Sequence, residues 1–464
     1  MATTATLPGG GSKNNVTITI GSDASAALQG AINSLFKAAG KNITANTVAS
    51  GAAGKTGFFN YIPDTVTSGK ASLLKAGTGV QAIIDTGKLA DTLTGSTATT
   101  LFVANAAGDV INTDATSTVF GGAGNDTVNV TGKATIYLET GKNVVNLAGG
   151  DDVTLSGTGG TDVTNISAGA NTVTAAYVTT VNVTGASSAD TLSLAEKSTV
   201  TISGAKDNVS VAGAAQTITL AGASDTLKVG GAGDTIKITA GTGDSVNTAG
   251  LAASVVITAA KSNDTLALGA KSVVTISGAS DKVSLVGGSV SVAATGSGDT
   301  VATGTAVAAT VTGGAGALNV IGGTGALTFT GGKATGAVTV TAGAGAASVT
   351  GGVGTITFAH GAGGKDTFSA GASSKITLTG AGTDIKGSDI FNFNAKTATT
   401  TTITSFSAGK DTIAIAGATS AQIATALKAA HVTVKGGVTT TTFTVGSDKF
   451  TVTGGALTTK NVLP

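Results

Sequence analysis

The residues that could do chemistry in this 464-residue chain are few, and aspartate dominates them. Cys is absent, His stands only at 360 and 431, and Glu only at 139 and 196, so 23 of the 25 acids are Asp. Nucleophile and general-base pairs have almost nothing to be built from, and neither Glu has a partner acid at a suggestive spacing. His360 precedes a glycine-rich turn and reads as an exposed turn residue rather than a base. No catalytic residue is expected, and the chain is read as a non-enzyme.

Asp beside Gly offers a different chemistry. Residues 121 to 129 read GGAGNDTVN. Gly121, Gly122 and Gly124 permit a tight turn whose carbonyls can point at a cation, Asp126 supplies charge, and a neighbouring coil, where Asp109 lies, can complete the oxygen shell. Related turns are GTGGTD ending at Asp162, GAGGKD with Gly361, Gly364 and Asp366, and GAGTD with Gly380, Gly382 and Asp384. Asp366 and Asp384 are 18 residues apart, a spacing that puts them on one edge of consecutive coils, where one ion could bridge them.

The elements that must position these turns are short and repetitive. From Asp190 onward, turns followed by alternating strands recur as ADTLSL, STVTIS, KDNVSV, QTITLA, SDTLKV and GDTIKI. Asp190, Asp207, Asp225, Asp244, Asp264, Asp281 and Asp299 are separated by 17, 18, 19, 20, 17 and 18 residues, with further segments about midway. A unit of about 9 residues, two per coil, is too short for a helical repeat and predicts an all-β fold, a parallel β-solenoid of about 18 residues per coil and roughly 18 coils. Alternation places Val200, Ile202, Val209, Val211, Ile218, Leu220, Leu227, Val229, Ile236, Ile238, Leu266, Leu268, Val283 and Leu285 inside.

The expected boundaries are an N-terminal cap and assembly region over 1–84, the solenoid over 85–417, and a C-terminal cap over 418–464. VTITIG at 16–21 reads as a strand before a helix carrying Leu28, Ile32, Leu35 and Phe36, with Ser22 or Asp23 as its N-cap. Near the other end, 420–430 reads as a helix, followed by HVTV, a hairpin turning near Gly446 and a mobile tail. One edge is expected to present Asp152, Asn171 and the seven aspartates from 190 to 299, and Asp91, Asp109, Asp126, Asn143 and Asp162 carry the same beat. Stacked carboxylates repel unless they cap turn amides or are bridged by cations, and both remain open here.

GGAGNDTVN fits every position of the nonapeptide of calcium-binding parallel β-rolls, and in this the chain resembles the RTX (repeat-in-toxin) family. The segment 388–417 is similar to the one that closes RTX rolls in serralysin-like secreted proteins, through Asp389, Phe391, Phe393, Ile403, Thr404, Phe406, Gly409, Asp411, Ile413 and Ile415. The resemblance implies calcium as the bound ion, type I secretion through its export machinery with an uncleaved C-terminal signal, and an extracellular or cell-surface location. Ser405 stands where the family usually has an acid, which weakens any calcium contact there. Many turns lack paired glycines and those from about 305 to 355 carry no acid, so calcium cannot line the whole solenoid.

Composition narrows the partners. Twenty-six Lys and no Arg against 25 acids give no basic stripe for nucleic acid. No run of 18 apolar residues predicts a membrane span, and MATTATLPGGGSKNN lacks the charged and apolar regions of a cleaved signal. The first expectation is a secreted structural repeat protein that self-assembles into a surface layer, fibre or biofilm matrix, stabilised by calcium. The second is an extracellular adhesin or binding module whose flat Thr-rich faces meet a cell-surface polysaccharide or ice; a polysaccharide-modifying enzyme stands third.

Overall fold

The computed structural model describes residues 3–7, 16–20, 25–39, 45–47, 59–62, 71 and 73–464, apart from 158–161, 186–189, 249, 259–261, 305–306, 333–334, 362–363, 373–374 and 381–387. They form an all-β parallel solenoid of about 17 turns, about 19 residues each, a geometry compatible with a β-roll. Two compact units divide the chain, Met1–Asp234 and Thr235–Pro464. Among the described residues, no helix is long and apolar enough to cross a membrane.

In the first unit every second strand joins the same sheet. Thr127–Val130 pairs in parallel with Val110–Asn112 and Val144–Leu147, while the intervening Lys133–Leu138 pairs with Ser117–Phe120 and Asp152–Gly157. Two short strands per coil leave room for only one inward stripe on each, so small branched side chains fill the interior. Parallel pairing already begins between Ala45–Thr47 and Phe59–Ile62, upstream of the 85–417 span. At the N-terminus Thr3–Leu7 and Val16–Ile20 pair antiparallel, and helix α1 (Ser25–Ala39) buries Leu28 and Ile32. The expected N-cap, Ser22 or Asp23, lies outside the described residues, as does the Phe36 side chain.

All fourteen expected core residues, in both units, are at most 2% exposed. Each such burial contributes about 1.5–3 kcal/mol against leaving the side chain in water. In the second unit the aliphatic filling gives way to aromatic rings, with centroids of Phe358 and Phe368 5.9 Å apart and those of Phe393 and Phe450 4.9 Å apart.

The second unit closes with helix α2 (Ser420–Lys428), whose Thr419 cap and Gln422 form a reciprocal capping box. His431–Lys435, Val438–Val445 and Asp448–Gly454 follow as an antiparallel ribbon, and the last of these pairs in parallel with Thr400–Phe406. A bulge between Ile403 and Phe406, with Ser405 at φ 63°, absorbs the change of register. The expected mobile tail is instead docked: Val462–Leu463 adds to Thr412–Ala416, Val462 is buried, and the Asn461 side chain donates to the Ala408 carbonyl.

Candidate cation sites on the aspartate columns

The aspartates point inward and form two columns. On one sheet of the first unit, the N–H of Asp91 donates to Asp109 Oδ1 at 2.7 Å, that of Asp109 to Asp126 Oδ1 at 2.8 Å, that of Asp126 to Asn143 Oδ1 at 2.9 Å, and that of Asn143 to Asp162 Oδ1 at 3.1 Å. On the opposite sheet, Asp151 donates to Asn171 at 3.0 Å, Asn171 to Asp190 at 2.7 Å and Asp207 to Asp225 at 3.0 Å. The second unit continues the device from Asp244 to Asp264 at 2.9 Å, Asp264 to Asp281 at 2.9 Å and Asp281 to Asp299 at 3.1 Å. Each acid thus caps the amide that opens a strand one coil earlier.

Of the two alternatives left open for stacked acids, these contacts show amide capping, and the acids are all at most 1% exposed. Asp152 is not a member: it is exposed, ion-paired to Lys133 at 3.0 Å, and Asp151 holds the inward position. An uncharged acceptor can take the same place, since Ser198 Oγ takes the Thr179 N–H and Ser272 Oγ the Ala253 N–H in the same way.

The second carboxylate oxygen is less well served. Oδ2 of Asp126, Asp190, Asp234, Asp264 and Asp299 is buried with no hydrogen-bond partner. Burial pushes the Asp126 and Asp264 carboxyls up to about 7, offset in part by the Asp109 and Asp244 amides that they accept. Asp109, Asp225 and Asp299 are pushed to about 6, again chiefly by burial. Asp85 is pushed to about 8 by burial and then by the Asp109 charge, with its Oδ1 and Oδ2 held by the Gly87 N–H and the Asn105 amide. An open oxygen of this kind takes a proton or a cation.

The paired glycines at 121–124 have a packing cause of their own. A Cβ at Gly122 would overlap the Asn105 carbonyl of the preceding coil, and one at Gly124 would overlap Gly108. A Cβ at Gly121 would stand 2.5 Å from Asp126 Oδ2. The turn therefore packs its own backbone closely against Asp126, whose buried Oδ2 has no hydrogen-bond partner.

Near the C-terminus the residue that follows Asp366 along its column is Asp389: the Asp366 N–H donates to Asp389 Oδ1 at 3.0 Å and the Asp389 N–H to Asp411 Oδ1 at 3.1 Å. Asp384 and Gly382 lie outside the described residues. Asp366 takes the Ala347 N–H on Oδ1 and the Gly361 N–H on Oδ2, both at 2.8 Å, and Gly364 leaves room for the Gly345 carbonyl.

His360 is not the exposed turn residue that its neighbours imply. It ends Thr355–His360 on the inward phase set by Ile356 and Phe358, and is 2% exposed. Gly380 pairs with it in register, and a Cβ there would come 3.0 Å from Nε2. Nδ1 lies 2.8 Å from Asp389 Oδ2, while the buried Nε2 has no hydrogen-bond partner. Burial alone would lower the imidazole pKa; Asp389, with Asp411 and Asp366, raises it. Alternation along TITFAH was the signal for this inward placement, and the glycines after it masked that signal.

An outer column of asparagines went unread in the sequence. Outward Asn112, Asn129, Asn146, Asn165 and Asn182 stack so that each Nδ2 donates to the Oδ1 of the preceding asparagine at 2.7–3.1 Å, and Asn112 donates to Thr94 Oγ1. Their spacing of 17 to 19 residues could have revealed it. No family model, no curated protein and no solved structure matches this chain.

Proposed function

We propose that this chain is a secreted structural protein of RTX-like type that assembles with copies of itself into a surface layer, fibre or biofilm matrix at the cell surface. Scaffold rather than catalyst is its role. The observation that carries this reading is the terminal strand His431–Lys435: it is last in its sheet, all five residues are exposed, and Val432 and Val434 are 54% and 67% exposed. An unblunted strand edge with apolar side chains is a template for another chain, which monomeric proteins avoid.

Calcium is the ion we assign to the Asp126 turn, where a buried carboxylate oxygen lacks a partner. Type I export is the route that the 388–417 resemblance supports. Analytical ultracentrifugation tests the edge. Wild type should form large species at millimolar calcium, and the double change Val432→Lys and Val434→Lys should leave single chains. Equal assembly of both would remove the edge from the reading.

One observation favours binding as the second reading. In the second unit two outward hydroxyl columns run side by side, Ser291, Thr310, Thr328, Ser348 and Thr367 beside Thr312, Thr330, Thr350 and Ser369. Strands about 4.8 Å apart make this a flat, regular lattice suited to polysaccharide or ice. Co-sedimentation with polysaccharide and thermal-hysteresis measurements separate it from assembly.

A further inference from the structure

Three donor atoms meet in one buried corner of the second unit, one each from His360, Asp366 and Asp389, all within 4.8 Å of one another. The three residues are at most 2% exposed. A plain imidazolium–carboxylate pair would aim its N–H at the acid. Here Nδ1 and Asp389 Oδ2 approach to 2.8 Å, but such a pair leaves the equally buried Nε2 with no hydrogen-bond partner. Two carboxylates around one ring also leave negative charge that a single imidazolium does not balance.

We propose that His360, Asp366 and Asp389 form a mononuclear site for a zinc-class divalent cation. Tetrahedral bonds of about 2.0–2.2 Å set ligand atoms roughly 3.3 Å apart, inside the observed spread. One imidazole nitrogen with carboxylate oxygens is a borderline donor set, whereas calcium takes 6–8 oxygens at about 2.3–2.6 Å. The supporting contacts are those of a built site: Ala347 and Gly361 amides fix both oxygens of Asp366, and the Asp366 amide fixes Oδ1 of Asp389, leaving Oδ2 turned to the ring. Gly380 keeps open the space that the ring occupies. The site differs from the calcium turn proposed at Asp126 in ligand type and place, and does not depend on assembly.

The test uses the full chain, unfolded with chelator and refolded with Zn²⁺ or Co²⁺, then freed of loose metal and assayed by elemental analysis. One ion per chain is expected, retained against millimolar calcium. His360→Gln and Asp389→Asn should each weaken uptake at least tenfold, while Asp152→Asn, at an exposed carboxylate outside the columns, should leave it unchanged. Should the site variants not fold, X-ray absorption of the zinc-loaded wild type decides, with an imidazole-containing shell near 2.0 Å expected. Folded wild type that retains neither metal, uptake undiminished in a folded His360→Gln chain, or an all-oxygen shell would each overturn the assignment.

Discussion

Asp281 Oδ1 accepts the backbone N–H of Asp264 at 2.9 Å, one coil earlier, and the Asp281 N–H donates in turn to Asp299. The side chain therefore completes the hydrogen bonding of a coil that is not its own. Repetition of this link couples neighbouring coils at the point where each strand begins.

If the acceptor is what the column needs, Asp281→Asn should change stability by less than about 1 kcal/mol, because an amide oxygen can replace Oδ1. Asn143 and Asn171 already occupy equivalent places. Asp281→Ala strands the Asp264 N–H and should cost about 1–3 kcal/mol. Urea unfolding of the pair measures both; an Asn variant as unstable as the Ala variant would point to the charge, and so to a cation, as the essential element.

Folded-state pKa values of about 6 for Asp225 and Asp299 and about 7 for Asp264 lie above the ordinary 3.8. The folded chain holds protons there that the unfolded chain releases, so their contribution is full below about pH 4 and lost as pH rises through 6 to 7. In metal-free buffer the urea midpoint should be higher at pH 5 than at pH 8. A midpoint that rises over this interval would mean the column ionises without penalty.

Gly122→Ala should destabilise the chain by about 1–3 kcal/mol, because the new methyl would overlap the Asn105 carbonyl of a neighbouring coil. Gly409 has open space around its Cβ position, so Gly409→Ala serves as the neutral comparison. Thermal melts with and without calcium should show the Gly122 effect in both conditions if coil packing is its cause.

Asn146→Ala removes one bond donated to Asn129 and one accepted from Asn165. A loss of about 1–2 kcal/mol is expected from two half-buried bonds. Amide hydrogen exchange should quicken in Val144–Leu147 and its neighbours; protection equal to wild type would show that this outer ladder follows the sheet rather than supports it.

The solenoid and its interior were legible because strict alternation over short strands leaves one inward stripe, and residues such as Val209 and Leu266 could face only one way. The columns were half legible. Spacing put Asn171 and Asp190 on one edge, as their hydrogen bond does, and left Asp162 off it, but a count of residues does not tell whether such acids cap turn amides or hold cations. Asp151 and Asp152 differ only in phase, which pairing with Lys133–Leu138 decides. The C-terminal corner was hidden by longer coils: 23 residues separate Asp366 from Asp389 and 22 separate Asp389 from Asp411, so a regular beat of 18 passed over Asp389 as a partner. The docked tail depends on Ile413 pairing with a strand 49 residues later, beyond any local pattern.

Ordered self-assembly is tested most directly by electron microscopy of the purified full chain at high concentration, in millimolar calcium and in excess chelator. Sheets or filaments with a regular repeat are expected in calcium, reduced or less ordered in chelator. Dispersed particles of single-chain mass in both conditions would contradict the structural role.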